Sequence, residues 1–347
     1  MKIMSKSVRL AEGQKCRGYP LVNGWEQDAG GIQNYTQPFS LPDLDVHLFS
    51  GSFVEAGGIA LKSPWSCYAE GCRFIGPVKS SRRWTWIKTY LHRETISLDA
   101  PVVSLVNCRG WQDQYFHWML DVMPVLLLAS KAFARPFAAF KILVPQSPCP
   151  YIQQSLDTWK VPEHARVKVI PGQRVLCEQG LCLSGSHRFQ ERGPQRPHDP
   201  IHPLIPALYK EMPLPRAVSE RKRRILIYRK AGAPRAFQNF NDVEKFAHEE
   251  GFELVDLEKL YFSKQALLFA EASHVIAVHG AGLSNLVFAS GCRVLEIHSR
   301  LHGVRSEFFQ LTSLIGGEYR FVVMDGNVAD KSVMFPVEIA KAFADGA

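Results

Sequence analysis

The stretch His274-Val275-Ile276-Ala277-Val278-His279-Gly280-Ala281-Gly282-Leu283-Ser284-Asn285 decides the fold. Its first five residues are mostly apolar and β-branched and read as a strand. Two glycines and an alanine then make a tight turn, and the apolar run from Leu283 to Ala289, closed by Gly291, reads as a helix. Working outward, the same unit recurs. Strands are predicted at 224–228, 253–256, 293–297 and 319–323, with helices at 241–250, 263–272, 304–314 and 337–344. Asn241 and Ser263 read as helix caps. Strand and helix alternating in this way build a doubly wound parallel sheet.

Upstream the pattern is thinner. Residues 1 to about 60 read as loops and short strands. A buried strand is predicted at 101–106 and a helix at 111–130, where Tyr115, Trp118, Met119, Val122, Leu126 and Ala129 recur at three- and four-residue steps. Strand, helix and strand at 142–145, 151–160 and 167–170 imply a second parallel sheet. Prolines at 194, 197, 200, 203, 206, 213 and 215 break both helices and central strands, so the boundary falls there. The expected domains are residues 1–205 and 216–347.

The 347 residues are 46% hydrophobic and 21% charged, enough for a sizeable core. No window holds the roughly 18 uninterrupted apolar residues of a membrane span. Met1 to Ala11 is basic and polar, unlike a signal peptide, so a cytosolic protein is expected. The net charge of +8 gathers at Lys79, Arg82 and Arg83 and at Arg221-Lys222-Arg223-Arg224. Such runs are either solvated faces and strand lead-ins or attract an anionic membrane or substrate. Nucleic acid is set aside, because no aromatic interleaving, helix-turn-helix or zinc-finger spacing accompanies them. The eight cysteines form no Cys-x-x-Cys. The Cys67/Cys72 and Cys177/Cys182 gaps are weak metal signals, and free thiols are expected.

Ligands of a doubly wound sheet sit beyond the carboxyl ends of its strands. The turn His279-Gly280-Ala281-Gly282 lies at such an edge. Its small residues let a ligand approach the backbone, and the following helix offers unpaired N–H groups and partial positive charge, which suits a diphosphate. Ser284 and Asn285 add side-chain donors, and His279 points at the crevice. Glu296, in the next strand, needs a partner, which is either a pair of ribose hydroxyls or an internal cation. Arg229 and Arg235 flank the loop after the first strand and suit phosphate geometry. In the first domain His117 and Asp121 share a helix face four residues apart, beside Pro124. The pair suits proton transfer, with either residue as the base. Asp43-Leu44-Asp45 has the form of a metal motif but follows no core strand, and no metal site is assigned.

These residues together resemble glycosyltransferase family 61 of the bacterial, capsular-polysaccharide type, once filed as a domain of unknown function. The resemblance is carried by Arg235-Ala-Phe-Gln-Asn239, Gly251-Phe252-Glu253-Leu254-Val255, Ser263-Lys-Gln265-Ala-Leu-Leu-Phe269-Ala270, His279 to Asn285, and Val294-Leu295-Glu296-Ile297. Upstream, His117-Trp118, Asp121 and Pro124 are similar to the family's His-Trp-x-x-Asp-x-x-Pro helix. The departure is Phe240, where the family often carries an acidic residue. The first hundred residues carry no resemblance.

The resemblance implies a GT-B-like α/β fold, two Rossmann-like domains facing across a cleft, with a C-terminal helix packing back. It implies an inverting sugar transfer from a nucleotide-sugar donor to a hydroxyl of a cell-surface polysaccharide or lipid-linked glycan, with no obligatory metal or other cofactor. Such an enzyme works in the cytoplasm, with peripheral contact at the anionic inner face of the membrane. Two other classes remain. A non-catalytic nucleotide-sugar or glycan-binding protein would keep the fold and lose the base. A nicotinamide-dependent oxidoreductase would place Gly-x-Gly-x-x-Gly after the first strand of a domain, whereas here the glycine turn comes late and Leu283 and Asn285 break the pattern.

Overall fold

The aliphatic runs of the first half form two sheets where one was expected. The computed structural model describes residues 5–20, 32–41, 43–49, 52–55, 59–63, 66–67, 95–106, 113–170, 173–184, 200–214 and 223–346. The chain divides into two compact units, Met1–Gln14 with Ser40–Gln190, and Lys15–Phe39 with Glu191–Ala347. The described residues 15–20 and 32–39 therefore cluster with the second unit, although chain order puts them beside the first.

In chain order the first unit has strands β1 (Ser5–Ala11), β2 (Leu44–Phe49), β3 (Ser52–Glu55), β4 (Ile59–Ser63), β5 (Ser66–Cys67), β6 (Thr95–Leu98), β7 (Val102–Ser104), β8 (Lys141–Pro145), β9 (Arg166–Val169), β10 (Arg174–Cys177) and β11 (Leu181–Ser184). One sheet runs β1-β2-β11-β7-β8-β9 and the other β5-β4-β3-β10-β6. The expected strand–helix–strand unit is present as the parallel neighbours β7, β8 and β9, but β1 and β2 extend that sheet antiparallel. Leu98, Val102, Leu143, Val169, Val175 and Leu181 form the core shared by the two sheets. Helix α1 (Tyr115–Phe133) packs on β7 and β11, and α2 (Pro150–Thr158) follows β8. By length and composition α1 is apolar enough to cross a membrane, but most of it is buried inside this unit. Pro124 leaves its mark as a π-turn over Trp118–Val122, in which Met123 N–H reaches the Trp118 carbonyl five residues back. The widened turn accommodates a ring that would otherwise strike the carbonyl four residues before it.

The second unit contains α3 (Leu204–Lys210), β12 (Arg223–Ile227), α4 (Phe240–Glu249), β13 (Glu253–Val255), α5 (Phe262–Ala270), β14 (Ala272–Val278), β15 (Arg293–Ser299), α6 (Glu307–Leu314), β16 (Glu318–Met324) and α7 (Val337–Asp345). All five strands are parallel, in the order β13-β12-β14-β15-β16. The chain reverses direction across the sheet between β12 and β14, which is a topological switch point. Leu226, Ile276, Leu295 and Val322 face α4 and α7, where Phe246, Ala340 and Phe343 complete a core. The opposite face carries Glu296, His298, Tyr319 and Phe321 by strand alternation, under α6. Helix starts differ from expectation. Neither Asn241 nor Ser263 caps a helix, and α4 begins after Asn239, whose side chain instead accepts from Phe335 N–H at 2.8 Å.

The run after the glycine turn is a 3₁₀ helix, Ala281–Phe288, where an α-helix was predicted. Among the described cysteines Cys16, Cys149, Cys177, Cys182 and Cys292 are free thiols. Asp43 and Asp45 of the Asp-x-Asp pattern both pair with Arg9, at 2.7 and 3.0 Å. Arg223 bonds Glu253 and Glu271, and Arg224 lies over Phe252, so that half of the basic run is structural. Arg221, Lys222, Lys79, Arg82 and Arg83 lie outside the described residues. Phe246 stacks against both Phe252 and Phe335 in the second core. Phe246→Ala is expected to lower unfolding free energy by about 3–5 kcal/mol, read by urea denaturation followed by circular dichroism.

Candidate active site

Two strand ends meet at the switch point of the second unit. β12 ends at Ile227 and runs into Tyr228, Arg229 and the loop carrying Arg235. β14 ends at Val278, and His279 N–H continues the ladder by donating to Ile297 O at 2.9 Å. Arg235 Nη1 donates to His279 O at 2.6 Å. A β-carbon built on Gly280 would lie 3.0 Å from Arg229 Nη2 and 3.6 Å from Arg235 Nη1. Gly280 itself has extended backbone, φ 179°. Glycine here therefore lets the Arg229 guanidinium lie close against the chain, with Arg235 at ordinary contact distance, and supplies no unusual turn. At Gly282 an added β-carbon would come within 2.6 Å of Leu257 Cδ1, so this glycine admits a packed leucine. The first hydrogen bond of the 3₁₀ helix runs from Leu283 N to Gly280 O, so the N–H groups of Ala281 and Gly282 precede its ladder.

The crevice is cationic. No ion pair joins Arg229 or Arg235 to a carboxylate among the described residues. Burial, then the charge of Arg229, lowers the Arg235 guanidinium from its ordinary value. Burial, then Arg235, Lys331, His279 and Arg305, lowers His302. Arg235 is held in the left-handed region at φ 68°, its N–H bonded to Lys331 O at 3.0 Å. A non-glycine residue held there costs about 1–3 kcal/mol and is retained where surrounding structure enforces it.

Beneath the crevice lies Glu296, 0% exposed. Its Oε1 is 2.5 Å from His279 Nδ1, and its Oε2 accepts from Tyr319 OH at 2.7 Å. His298 Nε2 lies 3.6 Å from the same oxygen, and its ring stacks on that of His279 at 5.2 Å. Burial opposes ionisation of Glu296, but the neighbouring His298 and His279 and the hydrogen bonds from His279 and Tyr319 outweigh it and lower its pKa. His298 is pushed down to about 4, first by burial, against the pull of Glu296. His279 Nδ1, the Glu296 carboxylate and His298 Nε2 lie within 4.8 Å of one another, so these are the described residues able to hold a metal ion. The carboxylate oxygens are already bonded by His279 and Tyr319, an arrangement complete as a carboxylate–imidazole pair.

Three sequence expectations change here. Glu296 is too deep, and too fully bonded, to reach ribose hydroxyls. Asn285 is buried and its amide bonds Gln265 Oε1 and Gly282 O, both at 3.0 Å, so it braces the turn from behind. Ser284 is buried too, and its hydroxyl has no hydrogen-bond partner. Arg229, Arg235, His279 and Gly280 are brought together. His298 and Tyr319 were missed, although residues two apart along a strand share a face, which would have set His298 beside Glu296.

The first unit holds a similar pair. His117 Nδ1 is 2.5 Å from Asp121 Oδ2, with side chains 24% and 1% exposed. The π-turn carries Asp121 inward, under His117. The carboxylate thus orients the ring through Nδ1, which assigns proton transfer to Nε2.

The family model for glycosyltransferase 61 matches residues 115–295, more than half of the chain. The chain belongs to the glycosyltransferase 61 family. A glycosyltransferase activity, with donor and acceptor substrates in general, follows from that membership. No curated protein matches the chain. The family segment contains both His117 and Asp121 and the Arg229–Asn285 crevice, and it stops one residue short of Glu296.

The lowered His298 has a consequence for stability. The unfolded imidazole titrates near about 6.5, the folded one about 4. As pH falls from about 6.5 towards 4, the unfolded chain takes up a proton the folded chain refuses, so stability falls. His274, also lowered to about 4 by burial and then Arg224 and Arg293, acts in the same direction. Urea unfolding at pH 7, 6 and 5 is expected to show a decline approaching about 1.4 kcal/mol per pH unit from His298 alone. A flat profile would contradict the buried neutral imidazole.

Proposed function

We propose that the chain is an inverting, nucleotide-sugar-dependent glycosyltransferase acting on a hydroxyl of a cell-surface polysaccharide or lipid-linked glycan. The observation that carries this reading is the pair of guanidinium groups, Arg229 and Arg235, that close on Gly280 at the switch point and pair with no carboxylate among the described residues. The donor's diphosphate sits there, against the N–H groups of Ala281 and Gly282 and beside His279. Glu296 acts through His279, fixing its tautomer and orientation. His117 is the base, oriented by Asp121.

In the transfer, His117 Nε2 accepts the proton of the acceptor hydroxyl. The oxygen forms its bond to the anomeric carbon as the bond from that carbon to the diphosphate oxygen breaks. The electron pair leaves with the diphosphate, and one displacement inverts the anomeric configuration. Arginines and N–H groups meet the charge that develops on the leaving group, so the transfer needs no obligatory metal. The finer architecture proposed is GT-B, with the acceptor's base on the first unit and the donor's seat on the second. A bacterial setting in the cytoplasm, with peripheral contact between the +8 chain and anionic lipid, completes the reading.

Binding of nucleoside diphosphates by isothermal titration tests the seat. At least one of the uridine, guanosine, cytidine, adenosine and thymidine diphosphates is expected to bind the wild-type protein. Arg229→Ala and Arg235→Ala are each expected to weaken that binding by about 10- to 100-fold. Stabilisation by a nicotinamide dinucleotide and by none of these would favour the oxidoreductase class. For the base, His117→Ala is expected to lower kcat by about 10²–10⁴ while leaving nucleotide affinity unchanged. Full turnover by that variant, measured with the true donor, would remove His117 from the mechanism.

A further inference from the structure

A trough of ≈ 640 Å³ runs along β13 and α5 on the second unit, lined by Tyr228, Leu254, Asp256, Lys259, Lys264 and Leu267 among others. Its size is that of a small-molecule pocket. One wall is apolar, and Asp256 stands at the carboxyl end of β13. The Asp256 side chain is 7% exposed. Oδ1 accepts from Glu258 N–H at 3.2 Å, while Oδ2 is buried with no hydrogen-bond partner among the described residues. Lys259 Nζ reaches over it from solvent but stays at 3.6 Å. A buried carboxylate oxygen without a hydrogen bond is costly, and such a group calls for a donor.

The place of Asp256 in the sheet says which donor. β12 is the first strand of the unit's sheet, and β13, the second, lies beside it on the side away from β14. The ends of β13 and β14 are therefore two strand spacings apart, roughly 9.6 Å, with Tyr228 and Arg229 between them. In mononucleotide-binding sheets the acidic residue at the end of the second strand takes a ribose hydroxyl, and the phosphates lie at the switch point. The trough and the diphosphate seat are also joined. Leu257 packs against Gly282, and Gln265 of α5 donates to Leu257 O and Leu260 O while accepting from Asn285.

We propose that this trough holds the nucleoside of the donor, with Asp256 bonding the ribose diol, Lys259 displaced from it, and the base lying on Tyr228 and Leu267. This rests on the reading of Arg229, Arg235 and Gly280 as the diphosphate seat. It requires a ribonucleotide donor and gives Asp256 the role once expected of Glu296.

The test is isothermal titration of the full chain with three probes: the tightest-binding ribonucleoside diphosphate of the panel above, its 2′-deoxy counterpart, and inorganic pyrophosphate. Wild type is expected to prefer the ribonucleotide by about 10-fold or more. Asp256→Asn is expected to bring that preference close to unity while leaving pyrophosphate affinity unchanged. Leu267→Trp, which fills the trough away from the carboxylate, is expected to reduce nucleotide affinity towards that of pyrophosphate. An undiminished ribose preference in Asp256→Asn overturns the assignment of the diol. Undiminished nucleotide affinity in Leu267→Trp overturns the trough. If wild type binds neither nucleotide nor pyrophosphate, the diphosphate seat fails and this inference fails with it. Should Asp256→Asn not fold, the Leu267→Trp titration decides.

Discussion

Everything at the switch point depends on one fully buried carboxylate. Glu296 sits inside the sheet where an unpaired charge would be untenable, and His279 and Tyr319 each bond one of its oxygens. This locks the His279 ring, and the His279 carbonyl in turn anchors Arg235. Arg235 is thereby brought, in a strained conformation, beside Arg229 and against Gly280. One of the two cations, Arg235, is thus tied through a histidine to an anion in the interior.

The two units use the same device for different ends. In each, a buried carboxylate holds the Nδ1 of a more exposed histidine at 2.5 Å. On α1 the pair is local, four residues apart, and owes its depth to a π-turn at Pro124. In the second unit it is tertiary, spanning adjacent strands seventeen residues apart. The local pair suits proton transfer. The tertiary pair sits under a ring of cations and suits holding an anion's partner in place. The glycines follow the same logic. Guanidinium groups and Leu257 come close to Gly280 and Gly282, and neither glycine adopts the left-handed backbone that a turn glycine is usually invoked to supply.

Much of this was legible before any coordinates. Parallel strands buried on both faces leave continuous aliphatic runs, so β12, β14, β15 and β16 were found within a residue or two at most ends. The His117–Asp121 pair was legible because helical spacing is rigid. The first unit was less so, since its antiparallel additions, β1 and β2, come from irregular sequence whose pairing is set across long separations. Caps failed at Asn241 and Ser263 because both helices start earlier, at Phe240 and Phe262, which puts these residues inside the first turn.

By itself, then, the chain determined its α/β class, its family, the turn at the carboxyl edge and the residues that crowd it. These are written in local periodicity and in short ordered motifs. Only the tertiary structure decided which side chains of that set face a ligand. It drew Glu296 and Asn285 inward, raised Arg229 and Arg235 over Gly280, and set Asp256 with an unbonded oxygen beside an apolar trough. Depth in a sheet depends on which strands become neighbours, and that order is fixed by packing across the whole unit rather than by any one segment.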